Sequence, residues 1–91
     1  MYGSRIKISH RVLVSQVPRL FHSKIRFGGS PHESVEIFVS SIQKYKYDYN
    51  ITDELALYDF EEILYGRALD WWNNSSFSSW QEALDGINSA F

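Results

Sequence analysis

The run Leu64-Tyr65-Gly66-Arg67-Ala68-Leu69-Asp70-Trp71-Trp72 constrains this chain more than any other stretch. Adjacent tryptophans on a helix point about 100° apart, so one can enter a core while its neighbour lies on the rim. Gly66 and Ala68, just before them, are small enough to let the backbone approach a neighbouring helix. A third tryptophan, Trp80, opens another amphipathic stretch that runs to the last residue, Phe91. Gly66, Ala68, Trp71, Trp72 and Trp80 read as a packing motif, and the helical stripes around them predict an all-α body.

The remaining helices are written in caps and stripes. Ser30-Pro31-His32-Glu33 offers a capping serine, a proline at the first helical position and a glutamate at the third. Val35, Phe38, Val39, Ile42 and Tyr45 then follow on one face, and the helix should end between Tyr47 and Asn50. Thr52 caps a second helix, with Asp53 and Glu54 in its first turn. Leu55, Leu57, Tyr58, Ile63 and Leu64 are expected on its buried side, and Asp59, Glu61 and Glu62 on its solvated side. Gly66 ends or bends that helix, and Arg67 to Asn73 forms a short third one. A polar loop holding Phe77 leads to a second capping box, Ser79-Trp80-Gln81-Glu82. Trp80, Ala83, Leu84, Ile87 and Phe91 give the fourth helix its stripe.

Ahead of the first helix the pattern changes. Ile6 and Ile8 alternate with Arg5 and Lys7, Val12-Leu13-Val14 is a short β-branched run, and Pro18 forbids a regular helix across it. Lys24-Ile25-Arg26-Phe27 alternates once more before Gly28-Gly29 breaks the pattern. The expected organisation is an extended, strand-like arm over residues 1–27 and a bundle of about four helices over residues 28–91. An exposed strand edge invites pairing with another chain, and Val12, Leu13, Val14 and Phe21 are the candidate self-association residues. The alternative is a leader whose apolar residues cover part of the core.

Charge follows the same division. Residues 1–27 carry six of the nine Lys and Arg and no acid, while residues 28–91 carry the other three with all eleven acids, a balance of −8. Such a split suits an arm lying on an acidic body, its own or a neighbour's. It also suits a nucleic-acid-binding arm, or follows simply from where the chain is cut.

Catalysis finds no convergent set of groups here. Asp59, Glu61 and Glu62 are neighbours on one polar face, Asp70 has no histidine or serine at a recognisable spacing, and Gly28-Gly29 alone is a turn. His10, His22 and His32 are scattered, with no pair four residues apart, so neither a metal nor any other cofactor is expected. The chain has no cysteine, which excludes disulfides, thiol chemistry and cysteine-ligated zinc. No apolar run approaches the roughly 20 residues that span a bilayer, and no secretory apolar core follows a basic start. The tryptophans could stack on bases, but Asp70 and Glu82 beside them repel phosphate. Tyr45, Tyr47 and Tyr49, interleaved with Lys44 and Lys46, form either a solvated helix end or a contact surface.

The stretches FGGSPHESVEIFVSSI, ITDEL through LYGRALDWW, and SSWQEALDGINSAF resemble the capsid domain of Ty3/gypsy-type retrotransposon Gag proteins, most of all the domesticated Arc proteins of insects. The resemblance covers residues 27–91 and rests mainly on the Leu-x-Gly-x-Ala-x-x-Trp-Trp run. It implies the N-terminal lobe of a capsid protein, a non-enzymatic all-α domain acting by protein–protein contact in shell assembly. In that family a second helical lobe follows and dimerises, often with a zinc-knuckle nucleic-acid segment. A chain ending at Phe91 without cysteine then reads as a fragment of a longer protein. The implied partners are other copies of the chain, the C-terminal capsid lobe, and RNA for the full-length parent. The implied location is cytoplasmic, with the parent released in capsid-like particles.

In mammalian Arc the equivalent lobe resembles a peptide-binding module, in which the segment before the first helix pairs with a proline-containing peptide over an apolar groove. The matching candidates here are Ile25 and Phe27 with Val35, Phe38 and Tyr58. The arm itself contains a proline-plus-aromatic segment, Pro18-Arg19-Leu20-Phe21, which either fills such a groove from within or merely turns the chain.

Overall fold

The computed structural model describes residues 17–91, so the expected strands of residues 5–14 lie outside the described residues, as do Val12, Leu13 and Val14. The described body is all-α. Four helices, α1 (Val35–Asp48), α2 (Asp53–Asp59), α3 (Gly66–Asn73) and α4 (Trp80–Ala90), are joined by short connections. Two 3₁₀ turns, Leu20–Ser23 and Phe60–Ile63, lie before α1 and after α2.

The start of α1 lies four residues later than the sequence suggests. Pro31 and His32 form a turn, and Ser34 is the cap, its hydroxyl accepting from the Ile37 N–H at 3.2 Å. Ser30 still takes part: its N–H donates to Glu33 Oε1 at 3.0 Å, the return half of a capping box detached from its helix. Glu33 is held instead to a loop. Its carboxylate also accepts from the Gly28 N–H at 3.1 Å and from the Tyr65 hydroxyl at 2.9 Å. Thr52 and Ser79 cap α2 and α4 as expected, accepting from Leu55 and Glu82.

α1 stops through a Schellman motif. Asn50 takes a left-handed conformation (φ 55°), the Ile51 N–H reaches Lys46 O at 3.0 Å and the Asn50 N–H reaches Tyr47 O at 3.2 Å. Ile51 then turns inward and joins the core. The stripe of α1 buries Phe38 and Ile42 fully, with Val35, Val39 and Tyr45 packed around them. α4 buries Trp80, Ala83, Leu84 and Ile87.

The second helix departs from expectation. It ends at Asp59, and the chain tightens into the 3₁₀ turn Phe60–Ile63 before Gly66 opens α3. Its buried positions are Ala56, Asp59, Phe60 and Ile63, at i, i+3, i+4 and i+7. Tyr58, expected inside, is 76% exposed, and Asp59, expected in solvent, is fully buried.

The segment before α1 is only partly extended. Leu20–Ser23 is a 3₁₀ turn, and the expected strand Lys24–Phe27 pairs through a single parallel bridge, Phe27 with Leu64. The Phe27 N–H donates to Ile63 O and the Tyr65 N–H to Phe27 O, both at 3.0 Å. Leu20 and Phe27 are both buried, so this segment supplies core residues to the helical body.

The paired tryptophans divide their labour differently from the expected core-and-rim arrangement. Both are half-buried, while Ala68 in the preceding turn and Trp80 in α4 go inside. Trp72 packs on Phe60 at 4.8 Å and on Phe77 at 5.7 Å, and Trp71 on Phe77 at 5.4 Å and Phe91 at 5.9 Å between ring centroids. Phe77 lies against Gly86, where an added Cβ would come within 2.6 Å of its ring. The small residue on α4 is what lets the polar loop fold onto the tryptophans.

Candidate functional site

Three of the candidate peptide-binding residues meet. Ile25, Phe27 and Phe38 line a groove of about 210 Å³ between the pre-helical segment and α1, together with Arg26, Glu33, Ser34, Ile37 and Ser41. Its floor is apolar, with Phe27 and Phe38 stacked at 4.8 Å. Ile37 stands on its rim at 68% exposure, a large apolar side chain that sequence reasoning did not single out. Its position one residue before the buried Phe38 was the available signal. At one end sits Glu33, whose three hydrogen bonds, led by the Ser30 N–H, hold its carboxyl below the usual range. The bond that the Tyr65 hydroxyl donates to Glu33 holds that phenol above its ordinary value.

Val35 and Tyr58 stand elsewhere. Val35 faces a separate polar cleft, about 540 Å³, between the start of α1 and the end of α4, lined by Glu33, Ser34, Glu36, Asn88 and Phe91. A shallower hollow of about 330 Å³ continues along Val39, Ser40 and Gln43. Tyr58 lies on the outer face of α2 beside Arg19, its ring centroid 5.9 Å from the guanidinium carbon.

Arg19 fixes how the pre-helical segment meets the body. Its Nε donates to Asp59 Oδ2 at 2.8 Å, its Nη2 donates to Asp59 Oδ1 at 2.5 Å, and the Leu20 N–H donates to Oδ2 at 3.3 Å. A two-pronged guanidinium–carboxylate pair satisfies a buried carboxylate geometrically as well as electrically. Bonding to Asp59 holds the Arg19 guanidinium above its already high value. Phe21 is half-buried, lies under the Arg19 guanidinium at 5.1 Å and meets His22 edge-on at 4.8 Å. Arg26 folds back on its own segment, donating to the Ile25 and Phe21 carbonyls at 2.9 and 3.1 Å. Two cations of the basic arm are therefore engaged within the molecule. Arg5, Lys7 and Arg11 of the same basic arm lie outside the described residues.

The tyrosines at the end of α1 form a small surface. Tyr45 and Tyr49 pack at 4.5 Å, burial pushes the Tyr45 phenol up, and Tyr47 points outward at 83% exposure. Lys46 pairs with Asp53 at 2.6 Å and lies over Trp80, whose indole N–H donates to Gln43 at 3.1 Å. Lys44 pairs with Asp48 at 2.7 Å. Among the described residues, no three His, Cys, Asp or Glu side chains cluster as metal ligands, and no helix is long and apolar enough to cross a membrane.

Over 68 residues the chain is 37% identical to activity-regulated cytoskeleton associated protein 1 of Drosophila melanogaster. The match covers 71% of this chain, which in turn spans only 27% of that protein. No protein-family model and no solved structure matches the chain. With the all-α body of four helices, this identity marks the chain as Arc-like.

Proposed function

We propose that the chain is a Gag-derived capsid lobe that works without catalysis, through repeated weak protein–protein contacts in a virus-like shell. The observation that carries this reading is the 37% identity with the Drosophila Arc protein across 68 residues. The partners are further copies of the chain and a second capsid lobe. The basic segment, with Val12, Leu13 and Val14, is the element that reaches an adjacent copy, while Phe21 packs against the chain's own core. Arg19 and Leu20 hold the described end of that segment to the body.

Light scattering across a concentration series tests this, on the full chain and on a chain lacking residues 1–16. The deletion stops there because removing Arg19 and Leu20 would strand Asp59 and open the core. Mass that rises with concentration in the full chain and falls on deletion is the expected result. Two strictly monomeric species of equal stability would reject the arm as an assembly element.

The groove of Ile25, Phe27 and Phe38 supports a second reading, a peptide-binding module for extended proline- and aromatic-containing segments. Its apolar floor and the exposed Ile37 on its rim favour an apolar partner side chain over solvent. Fluorescence titration of labelled proline–aromatic peptides measures this directly, and flat titrations would remove it.

A further inference from the structure

Tyr58 is an exposed phenol placed against the ion pair that, among the described residues, ties the pre-helical segment to the body. Its neighbour Asp59 points inward and takes both prongs of Arg19, while the Arg19 guanidinium also lies over the Tyr58 ring. Arg19 keeps 28% of its side chain in solvent, so it can turn outward, whereas Asp59 cannot follow it. Any new anion on the Tyr58 oxygen would compete for this guanidinium at short range.

The surroundings of Tyr58 also single it out from the other described tyrosines. Asp53 and Glu54 precede it, and Asp59, Glu61 and Glu62 follow it, a context suited to the basic substrate cleft of an acid-preferring tyrosine kinase. Tyr47 is more exposed but follows Lys44 and Lys46, with Asp48 as its one adjacent acid, and Tyr65 donates its hydroxyl to Glu33. α2 has only seven residues, and a helix that short holds its shape through packing rather than on its own.

We propose that Tyr58 is a phosphorylation site for an acid-preferring protein tyrosine kinase, and that its phosphate draws Arg19 away from Asp59 and loosens the pre-helical segment. The Tyr58 oxygen attacks the γ-phosphorus of ATP. The bond to the β,γ-bridging oxygen breaks, ADP leaves with that electron pair, and the phenolic proton passes to the base of the kinase. The product adds a charge of about −1.5 to −2 with three strong acceptors, which outmatches one carboxylate for a partly exposed guanidinium. Asp59 is then left buried without its cation, and its bond from the Leu20 N–H opens as the segment loosens.

The test uses the full chain, Mg-ATP and the catalytic domain of a tyrosine kinase with acidic substrate preference. Peptide mass spectrometry maps the phosphate, and hydrogen exchange follows the Leu20 amide. Phosphate is expected on Tyr58, absent in Tyr58→Phe, with loss of Leu20 protection while the Ile42 amide in the core stays protected. Phosphate confined to Tyr47 or Tyr49, or none on Tyr58, overturns the site. Phosphate on Tyr58 with unchanged Leu20 exchange overturns the competition for Arg19. Unphosphorylated Tyr58→Phe keeps Leu20 protected, which separates the effect of the phosphate from that of the altered ring.

Discussion

Arg19 and Asp59, forty residues apart in sequence, meet as a two-pronged ion pair in which the carboxylate is fully buried and the guanidinium reaches solvent. This asymmetry sets the outcome of breaking the pair. Arg19→Met leaves Asp59 charged and without its cation, whereas Asp59→Asn lets Arg19 return to water and keeps one acceptor for the Leu20 N–H. Asp59→Asn should cost about 1–3 kcal/mol, and Arg19→Met should cost more. Urea unfolding of the two variants gives the order, and a milder effect for Arg19→Met would contradict the burial argument.

Glu33 ties a pH dependence to the loop before α1. Its hydrogen bonds to Ser30, Gly28 and Tyr65 lower its folded pKa from the ordinary 4.5, so the stabilisation is fully present above that value. It is lost as pH falls through the lowered folded value. Acid unfolding followed by tryptophan fluorescence should therefore show a slope below pH 4.5 that flattens in Glu33→Gln. An identical slope in both proteins would assign the acid sensitivity elsewhere.

Gly29 is the position where a methyl group has nowhere to go. Its φ is +78°, and a Cβ there would come within 2.6 Å of the Phe91 ring and 3.1 Å of the Ala68 backbone nitrogen. Gly29→Ala should destabilise by about 1–3 kcal/mol, combining left-handed strain with a contact that backbone cannot relieve. At Gly28 the clash is with the ring of Tyr65, an exposed side chain that can swing away. Gly28→Ala should cost less in thermal melts and should also shift the Glu33 titration.

The three tryptophans are not equivalent. Trp80 is 5% exposed and hydrogen-bonded to Gln43, so Trp80→Ala should cost about 3–5 kcal/mol. Trp71 is half-buried between Phe77 and Phe91, and Trp71→Ala should cost about half as much. Equal losses in denaturant titrations would mean that the paired run carries the core after all.

The peptide reading has its own variant. Ile37 is 68% exposed on the rim of the groove, so Ile37→Glu should leave the melting temperature within a few degrees while abolishing any peptide titration. Undiminished binding would move the site off this groove.

The sequence by itself determined the elements that rest on local physics. The stripes of α1 and α4, the caps at Thr52 and Ser79, and the end of α1 near Asn50 follow from periodicity and from side chains bonding the nearest free N–H groups. What depended on distant partners was decided only by the tertiary structure. Ser30 lost the cap of α1 to Ser34 because Glu33 is drawn to Gly28 and Tyr65. Lys24–Phe27 kept one bridge of its expected strand because only Leu64 lies alongside it. Asp59 shares a stripe with Ala56, Phe60 and Ile63, a spacing visible in the sequence, yet its charge argued for solvent. Burial became possible only because Arg19 arrives from the segment before α1, and a charge enters a core only when its counterion and hydrogen bonds come with it.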